Sequence, residues 1–177
     1  MPPLTATPFP SATLCVTSMT AISETINNRK ILYLDIQQEL QQLESAELKN
    51  WVLFVIEDNI HNPILGQFAD LCIDKDVLYV CAAGQACSEV DDLFDFKMVE
   101  REQAGGKLPS WYQSHDDVLM TSWHHDYDEG FWFALTTANH ENLPIETVVV
   151  ANLTRVSYLP TIQRLMEKIA EGWLPPD

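Results

Sequence analysis

The strongest constraint on the fold is a set of four short, almost continuously apolar runs, each separated from the next by a longer segment. The runs are residues 51–56 (WVLFVI), 77–82 (VLYVCA), 118–121 (VLMT) and 147–151 (TVVVA). A strand that is covered on both faces is apolar along its whole length, whereas a half-exposed strand alternates. The four runs therefore predict a parallel sheet buried between two layers of helices.

The segments between these runs have the spacing of amphipathic helices. Asn62 and Pro63 predict the start of the first helix, and Ser88 is expected to cap the second. A third helix is predicted over residues 128–138 and a fourth over 160–172. Earlier in the chain, residues 31–34 (ILYL) predict a fifth strand, followed by an amphipathic helix over residues 36–48. This alternation predicts a three-layer α/β sandwich with a mostly parallel sheet of four or five strands, flavodoxin/Rossmann-like in general plan.

The domain organisation follows from length and local composition. A chain of 177 residues is the size of one domain. Residues 1–28 are rich in proline, threonine and serine and lack the positively charged start of a signal peptide. We expect them to form a flexible tail before a single α/β domain over residues 29–177. The sequence becomes more regular after Met19, which makes that methionine an alternative to Met1 as the natural start.

The charge balance is strongly acidic, with 26 aspartates and glutamates against 10 lysines and arginines and a net charge of -16. A field of this sign repels nucleic-acid phosphates and anionic membrane surfaces, so direct nucleic-acid binding is not expected. It favours a basic protein partner. The alternatives are a merely solvated acidic surface or an imitation of nucleic acid. No run approaches the ~20 apolar residues of a membrane helix, so no membrane span is expected.

The number and spacing of the cysteines indicate the redox environment of the protein. Cys15, Cys72, Cys81 and Cys87 form no C-x-x-C pair and no close-spaced disulfide framework. Small secreted domains need such a framework, whereas proteins of a reducing compartment do not. The pattern predicts reduced thiols in a cytoplasmic protein.

Polar side chains gather where the four main strands end. In a parallel sheet those ends share one edge, and ligands of open α/β folds bind there. We therefore expect a site on that edge. Its candidate residues follow the four strands in turn and are Glu57, Asp58, Asn59, His61, Gly84, Gln85, Cys87, Ser88, Trp123, His124, His125, Asp126, Asp128, Asn152, Thr154 and Arg155.

Two kinds of catalytic chemistry are conceivable on this edge. His124, His125 and Asp126 are weak candidates for metal ligands, with Asp58 or His61 completing the set. Adjacent histidines in an extended segment point opposite ways, however, and no H-E-x-x-H motif is present. The alternative is a helix start that is favoured by acidic residues, with a histidine beside one of their carboxylates.

The second chemistry is nucleophilic. Cys87 or Ser88 would be activated by His124 or His125, and Cys87 lies just ahead of a predicted helix start that could lower its pKa. No G-x-S-x-G motif is present, and the single glycine of residues 82–88 (AAGQACS) matches no phosphate-binding or dinucleotide fingerprint. The sequence therefore identifies no cofactor.

Aromatic residues outside the predicted elements are candidates for a binding surface. Trp111, Tyr112 and Trp123 fall in predicted loops near the proposed edge. The predicted binding set comprises Asp58, His61, Gln85, Trp111, Tyr112, Trp123 and Arg155.

Two functions are compatible with these observations. The first is a non-catalytic binding or regulatory protein of the bacterial cytoplasm, of the inhibitor or immunity type, that engages a basic protein partner. The alternative is a small hydrolase or transferase, with or without a metal, that uses Asp58, His124 and Asp126 at the carboxyl edge of the sheet.

Overall fold

Six strands form one sheet in the computed structural model, which describes residues 20–36 and 40–176. The strands are β1 (Thr20–Ile26), β2 (Arg29–Asp35), β3 (Trp51–Ile56), β4 (Tyr79–Ala83), β5 (Met120–His124) and β6 (Thr147–Asn152). The helices are α1 (Gln41–Ser45), α2 (Leu65–Asp74), α3 (Cys87–Ala104), α4 (Tyr127–Thr136) and α5 (Leu159–Ala170). None of the helices in these two ranges has the length and apolar composition needed to cross a membrane.

The spatial order of the strands is β1-β2-β6-β3-β4-β5. Strand β1 is antiparallel to β2, and the other four pairings are parallel. Strand β6 comes last in sequence but lies in the middle of the sheet, where Val150 pairs with Tyr33 on one side and with Phe54 on the other. The prediction of an α/β fold with a mostly parallel sheet is confirmed.

The core has two layers because side chains of a strand point alternately to the two faces of the sheet. All six side chains of β3 are fully buried: Trp51, Leu53 and Val55 pack on one face, and Val52, Phe54 and Ile56 on the other. Helices α1, α2 and α3 cover the first face, and α4 and α5 cover the second. The continuous apolar run of β3 is thus explained by burial from both sides.

The predicted tail is wrong at its carboxyl end, and the sheet has one strand more than predicted. Residues 1–19 lie outside the described part of the chain, but Thr20–Ile26 forms β1. A two-residue turn joins β1 to β2. Asn27 and Asn28 have φ angles of 50° and 61° there, as in the turns that suit a hairpin. An antiparallel edge strand needs no continuous apolar run, which is why TAISETI resembles a tail.

The predicted starts of α2 and α3 and the extent of α1 also need correction. Helix α2 begins at Leu65, so Asn62 and Pro63 lie in the turn before it. Helix α3 begins at Cys87, and the Ser88 hydroxyl donates to Glu89 (3.0 Å) instead of capping the helix. The residue at the cap position is Ala86, two residues before the predicted cap, and its N–H donates to the Glu57 carbonyl (3.1 Å). Only Gln41–Ser45 of the predicted 36–48 helix is helical, and residues 37–39 lie outside the described ranges.

Candidate functional site

A cleft of about 830 Å³ opens at the carboxyl edge of the sheet, between the ends of β3 and β6. The chain leaves β3 toward α2 on one face and leaves β6 toward α5 on the other. Neighbouring strands whose connections diverge in this way leave a crevice, which is the usual ligand position in open α/β sheets. The segments between Glu57 and Ile64 and between Leu153 and Tyr158 line it.

Glu57 is a buried carboxylate in the wall of this cleft, with only 1% of its surface exposed. One carboxylate oxygen accepts the N–H groups of Asp58 and Asn59 (both 2.9 Å), and the other accepts from the Asn62 side-chain amide (2.6 Å). Burial raises the pKa of Glu57, and these hydrogen bonds counteract part of that rise. The side chain thus fixes the turn after β3, a role that its position in the sequence does not reveal.

Asp58 connects three of the elements around the cleft. Its Oδ1 accepts the Gln85 N–H (3.0 Å) and the Tyr127 hydroxyl (2.8 Å). The Tyr127 ring packs on Tyr158, with ring centroids 5.2 Å apart. Burial and hydrogen bonding to Tyr158 and Asp58 raise the pKa of Tyr127. The structure therefore brings the candidates Asp58 and Gln85 together, and Tyr127 and Tyr158 are cleft-side residues that the sequence reasoning missed.

Two other candidates from this edge are exposed. Arg155 lines the cleft and makes no hydrogen bond or ion pair with any described residue. The loop that contains Arg155 is held by Asn152 at the end of β6, whose side-chain amide donates to Asp35 (2.6 Å) and to the Val156 carbonyl (2.7 Å). His61 does not line the cleft, and its N–H donates to the Asn59 side chain (3.0 Å).

The structure places Cys87 beside His125, with Sγ and Nδ1 3.6 Å apart. The Trp123 ring lies on the same imidazole, at a centroid distance of 5.1 Å. Cys87 is fully buried, however, and burial raises the pKa of its thiol despite its position in the first turn of α3. The thiol is therefore protonated at neutral pH, which is the unreactive form.

His124 and Asp126 have structural contacts. His124 packs against Phe133 of α4, with ring centroids 5.1 Å apart, whereas His125 lies beside Cys87 of α3 on the other face of the sheet. His124 is only 8% exposed. Its Nδ1 lies 3.6 Å from the Glu129 carboxylate, and its Nε2 lies 3.2 Å from the Ser122 hydroxyl. Asp126 caps α4 by accepting the N–H groups of Asp128 (2.8 Å) and Glu129 (3.2 Å). His124, His125 and Asp126 thus do not converge, and no metal-binding group of three His, Cys, Asp or Glu occurs among the described residues.

The prediction that these aromatics lie in loops near the carboxyl edge is wrong in part for each of the three residues. Trp111 is buried, and its ring N–H donates to the carbonyl of Val77 (3.0 Å), just before β4 begins. Trp111 and its neighbour Tyr112 therefore lie near the amino end of the sheet, away from the cleft. Trp123 belongs to β5 instead of a loop, and half of its surface is exposed.

A protein-family model matches residues 29–169, which include every described strand except β1 and all five described helices except the last residue of α5. The chain belongs to the DUF7684 family, a domain of unknown function. No curated protein and no solved structure matches it.

The DUF7684 domain carries a second candidate site, the β5 edge surface. We define it as β5 with Val118 before it and the outward side of α3. Strand β5 pairs only with β4 among the described strands, so its other side presents free backbone groups. Five of the eight large apolar side chains exposed in the described part of the domain lie on this surface, which singles it out as a candidate interface; they are Phe96, Val99, Val118, Met120 and Trp123.

The two flanks of α3 differ in charge. On the flank toward α2, Lys97 and Arg101 form ion pairs with Asp70 (2.8 and 3.0 Å), and Arg101 pairs with Asp74 (2.8 Å). On the flank toward β5, Asp91, Asp92 and Asp95 form no ion pair with any described lysine or arginine.

These outer carboxylates are electrostatically crowded. Burial raises the pKa of Asp91 and Asp95, and the negative charge of a neighbouring carboxylate raises each further. One oxygen of Asp91 is buried without a hydrogen-bond partner among the described residues. The β5 edge surface of the DUF7684 domain is therefore both apolar and negatively charged, and no described lysine or arginine pairs with its aspartates.

Proposed function

We propose that this protein is a non-catalytic binding or regulatory protein, of the inhibitor or immunity type, whose β5 edge surface engages a basic segment of another protein. The observation that carries the proposal is the edge of β5 that pairs with no described strand, flanked by exposed apolar side chains and by aspartates that pair with no described lysine or arginine. An extended segment that pairs with β5 satisfies its backbone groups, and alternate side chains of that segment meet the neighbouring surface.

Charge and apolar contact have separate roles in this interaction. The carboxylates of α3 attract a basic segment and exclude acidic ones, which mainly increases the association rate and the specificity. Trp123 and Met120 supply the apolar area that holds the segment once it is seated, since tryptophan is a frequent anchor of interfaces. The free thiols of Cys72, Cys81 and Cys87 support a reducing location, and we place this function in the bacterial cytoplasm.

The experiment uses defined peptides instead of an unknown partner. A nine-residue peptide that alternates lysine and valine is added to the ¹⁵N-labelled full chain, and amide shifts are followed by NMR. We expect shifts concentrated in β5 and α3, and weaker binding at higher salt. A glutamate/valine peptide and a lysine/valine peptide with a central proline are expected not to bind, because the first is repelled and the second cannot complete the backbone ladder.

Two pairs of variants distinguish the effect of the charges on the β5 edge surface from the effect of the net charge of the protein. Asp91→Asn with Asp95→Asn is expected to weaken binding about tenfold, which corresponds to ~1.4 kcal/mol. Glu167→Gln with Glu171→Gln removes the same number of charges from the exposed side and end of α5, on the opposite layer. Equal weakening by both pairs, or shifts spread over the whole surface, would rule out the β5 edge surface as the interface.

The cleft favours the second function, a small hydrolase or transferase. Its position at the divergence of β3 and β6, its volume, and the combination of Asp58 with an unpaired Arg155 support it. Turnover in a panel of ester, amide and phosphoryl substrates that is lost in Asp58→Asn and Arg155→Ala would establish this function. Elemental analysis of the purified protein tests the metal-dependent form, and turnover in a metal-free protein would exclude that form only.

A further inference from the structure

A groove of about 260 Å³ lies on the β5 edge surface, between α3 and the segment that leads into β5. Val99, Val118 and Leu119 form its apolar walls, and the carboxylates of Asp95, Glu102 and Asp117 stand around it. Pockets for small ligands usually measure roughly 300 to 1,000 Å³. The groove is therefore suited to a single side chain of a partner and not to a separate small molecule.

Each of the three carboxylates has one oxygen engaged within the protein. Asp95 Oδ1 accepts the Thr121 hydroxyl (3.4 Å), and Asp117 Oδ2 accepts the N–H groups of residues 113 and 114 (2.7 and 2.9 Å). Glu102 Oε1 contacts Tyr112 and His115. These contacts hold the carboxylates in place.

The second oxygen of each group accepts no hydrogen bond from a described residue, and no described lysine or arginine pairs with any of the three. The groove thus combines apolar walls with carboxylates that have acceptor capacity to spare. A long basic side chain has the complementary structure, with an apolar stem and a charged end.

We propose that this groove binds one arginine side chain of the basic segment; this inference rests on the proposed function of the β5 edge surface. Arginine fits better than lysine because carboxylates approach from both α3 and the β5 side, and a planar guanidinium donates several hydrogen bonds in different directions. The stem of the arginine packs against Val99 and Val118, and its end lies among the three carboxylates.

The test compares peptides that differ only at the central residue. Arginine, lysine or citrulline replaces the central lysine of the lysine/valine peptide; citrulline keeps the shape of arginine but carries no charge. We expect the arginine peptide to bind about tenfold more tightly than the citrulline peptide, with the lysine peptide between them. In Asp95→Asn and Glu102→Gln, the arginine-to-citrulline ratio is expected to fall below about threefold.

Asp92→Asn is the matched control. Asp92 lies on the same surface of α3 but does not line the groove, so this variant loses one charge and keeps the ratio. If the wild-type peptides bind with equal affinity, or if Asp92→Asn lowers the ratio as much as Asp95→Asn, the groove is not an arginine site while the proposed function stands.

A second titration separates the groove from the proposed function. Acetyl-arginine amide and acetyl-citrulline amide are added to the protein, and the amide shifts of Val99 and Val118 are recorded. Shifts with the arginine compound alone support the groove even if none of the peptides binds, a result that would overturn the β5 pairing. The absence of both peptide binding and arginine-specific shifts would overturn both proposals.

Discussion

Gly84 lies against the carbonyl oxygen of Glu57, so closely that a Cβ atom on Gly84 would overlap it. The same Cβ would fall 2.8 Å from Asp58 Oδ1, and Gly84 has a φ angle of +111°. Only glycine suits this position, because both its backbone conformation and its neighbours exclude a side chain. The conformation of the turn after β4, which contains Gly84, therefore depends on the conformation of the turn after β3, which begins at Glu57.

Replacing Gly84 by alanine is expected to destabilise the protein by roughly 2 to 4 kcal/mol, through backbone strain and overlap with Glu57. Urea denaturation measures the loss. Gly66→Ala is the control, since nothing lies within 4 Å of a Cβ there and Gly66 is the second residue of α2, where alanine can adopt the same backbone conformation. That substitution should stabilise by about 0.5 to 1 kcal/mol. Equal stability of Gly84→Ala and the wild type would contradict the close approach.

Stability is expected to rise as the pH falls from neutrality toward the ordinary carboxyl pKa of about 4. Burial raises the pKa of Glu57, Asp91 and Asp95. The folded state then binds their protons more tightly than the unfolded state, so the free energy of unfolding decreases as the pH rises through these raised pKa values. Asp91→Asn with Asp95→Asn should flatten the profile. Denaturant unfolding at a series of pH values measures it.

Asp70 provides the opposite control for that profile. Burial favours its neutral form, but hydrogen bonds and ion pairs with Lys97 and Arg101 outweigh burial and lower its pKa. Its contribution is therefore present above its unfolded pKa of about 4 and is lost as the pH falls through the lower folded value. Asp70→Asn should reduce stability at neutral pH. A wild-type profile that falls steadily from neutral pH toward about 4 would contradict the assignment of the three raised carboxyls.

Cys87 is expected to be unreactive in the folded protein. The rate at which iodoacetamide modifies Cys87 at pH 7 should be at least about tenfold lower in the folded protein than in the denatured chain, because the thiol is buried and protonated. Mass spectrometry locates the label, and a Cys15→Ser background removes the cysteine outside the described residues. His125→Ala should leave the rate unchanged. Fast labelling that depends on His125 would instead indicate an activated thiol.

Asp126→Ala is expected to cost about 1 kcal/mol, since it removes the side chain that caps α4. Asp126→Asn keeps an oxygen acceptor at the same place and should cost much less. Thermal unfolding of both variants, with and without added zinc, distinguishes the cap from a metal ligand. A zinc-dependent increase in the wild-type melting temperature that both variants lose would favour the metal interpretation.

The sequence predicts the parts of the fold that burial dictates. Residues 51–56 are apolar because β3 is covered on both faces, and the runs of β4 and β6 follow the same rule. The antiparallel edge strand β1 lacks that signature. The order of the strands cannot be predicted in the same way. The apolar run TVVVA indicates a buried strand but does not indicate that β6 pairs with both β2 and β3.

The candidate sites are predictable to a smaller extent. The carboxyl edge follows from the fold, and with it the positions of Asp58, Gln85 and Arg155. The hydrogen bonds of Glu57 depend on a turn geometry that a single sequence does not encode visibly. The β5 edge surface escaped prediction for a different reason. The apolar run of residues 118–121 predicts a strand covered on both faces, but Val118 and Met120 are more than half exposed.

The placement of β6 also bears on the order in which the chain can fold during synthesis. Without β6, the hairpin of β1 and β2 has no pairing to the β3, β4 and β5 unit. The ribosome makes residues 147–152 after all the other described strands. Until β6 emerges, the edges of β2 and β3 that later pair with it have no partner strand. Such exposed edges are where nascent chains associate wrongly. Chains stopped before Thr147 should therefore aggregate, whereas chains that extend through α5 should fold.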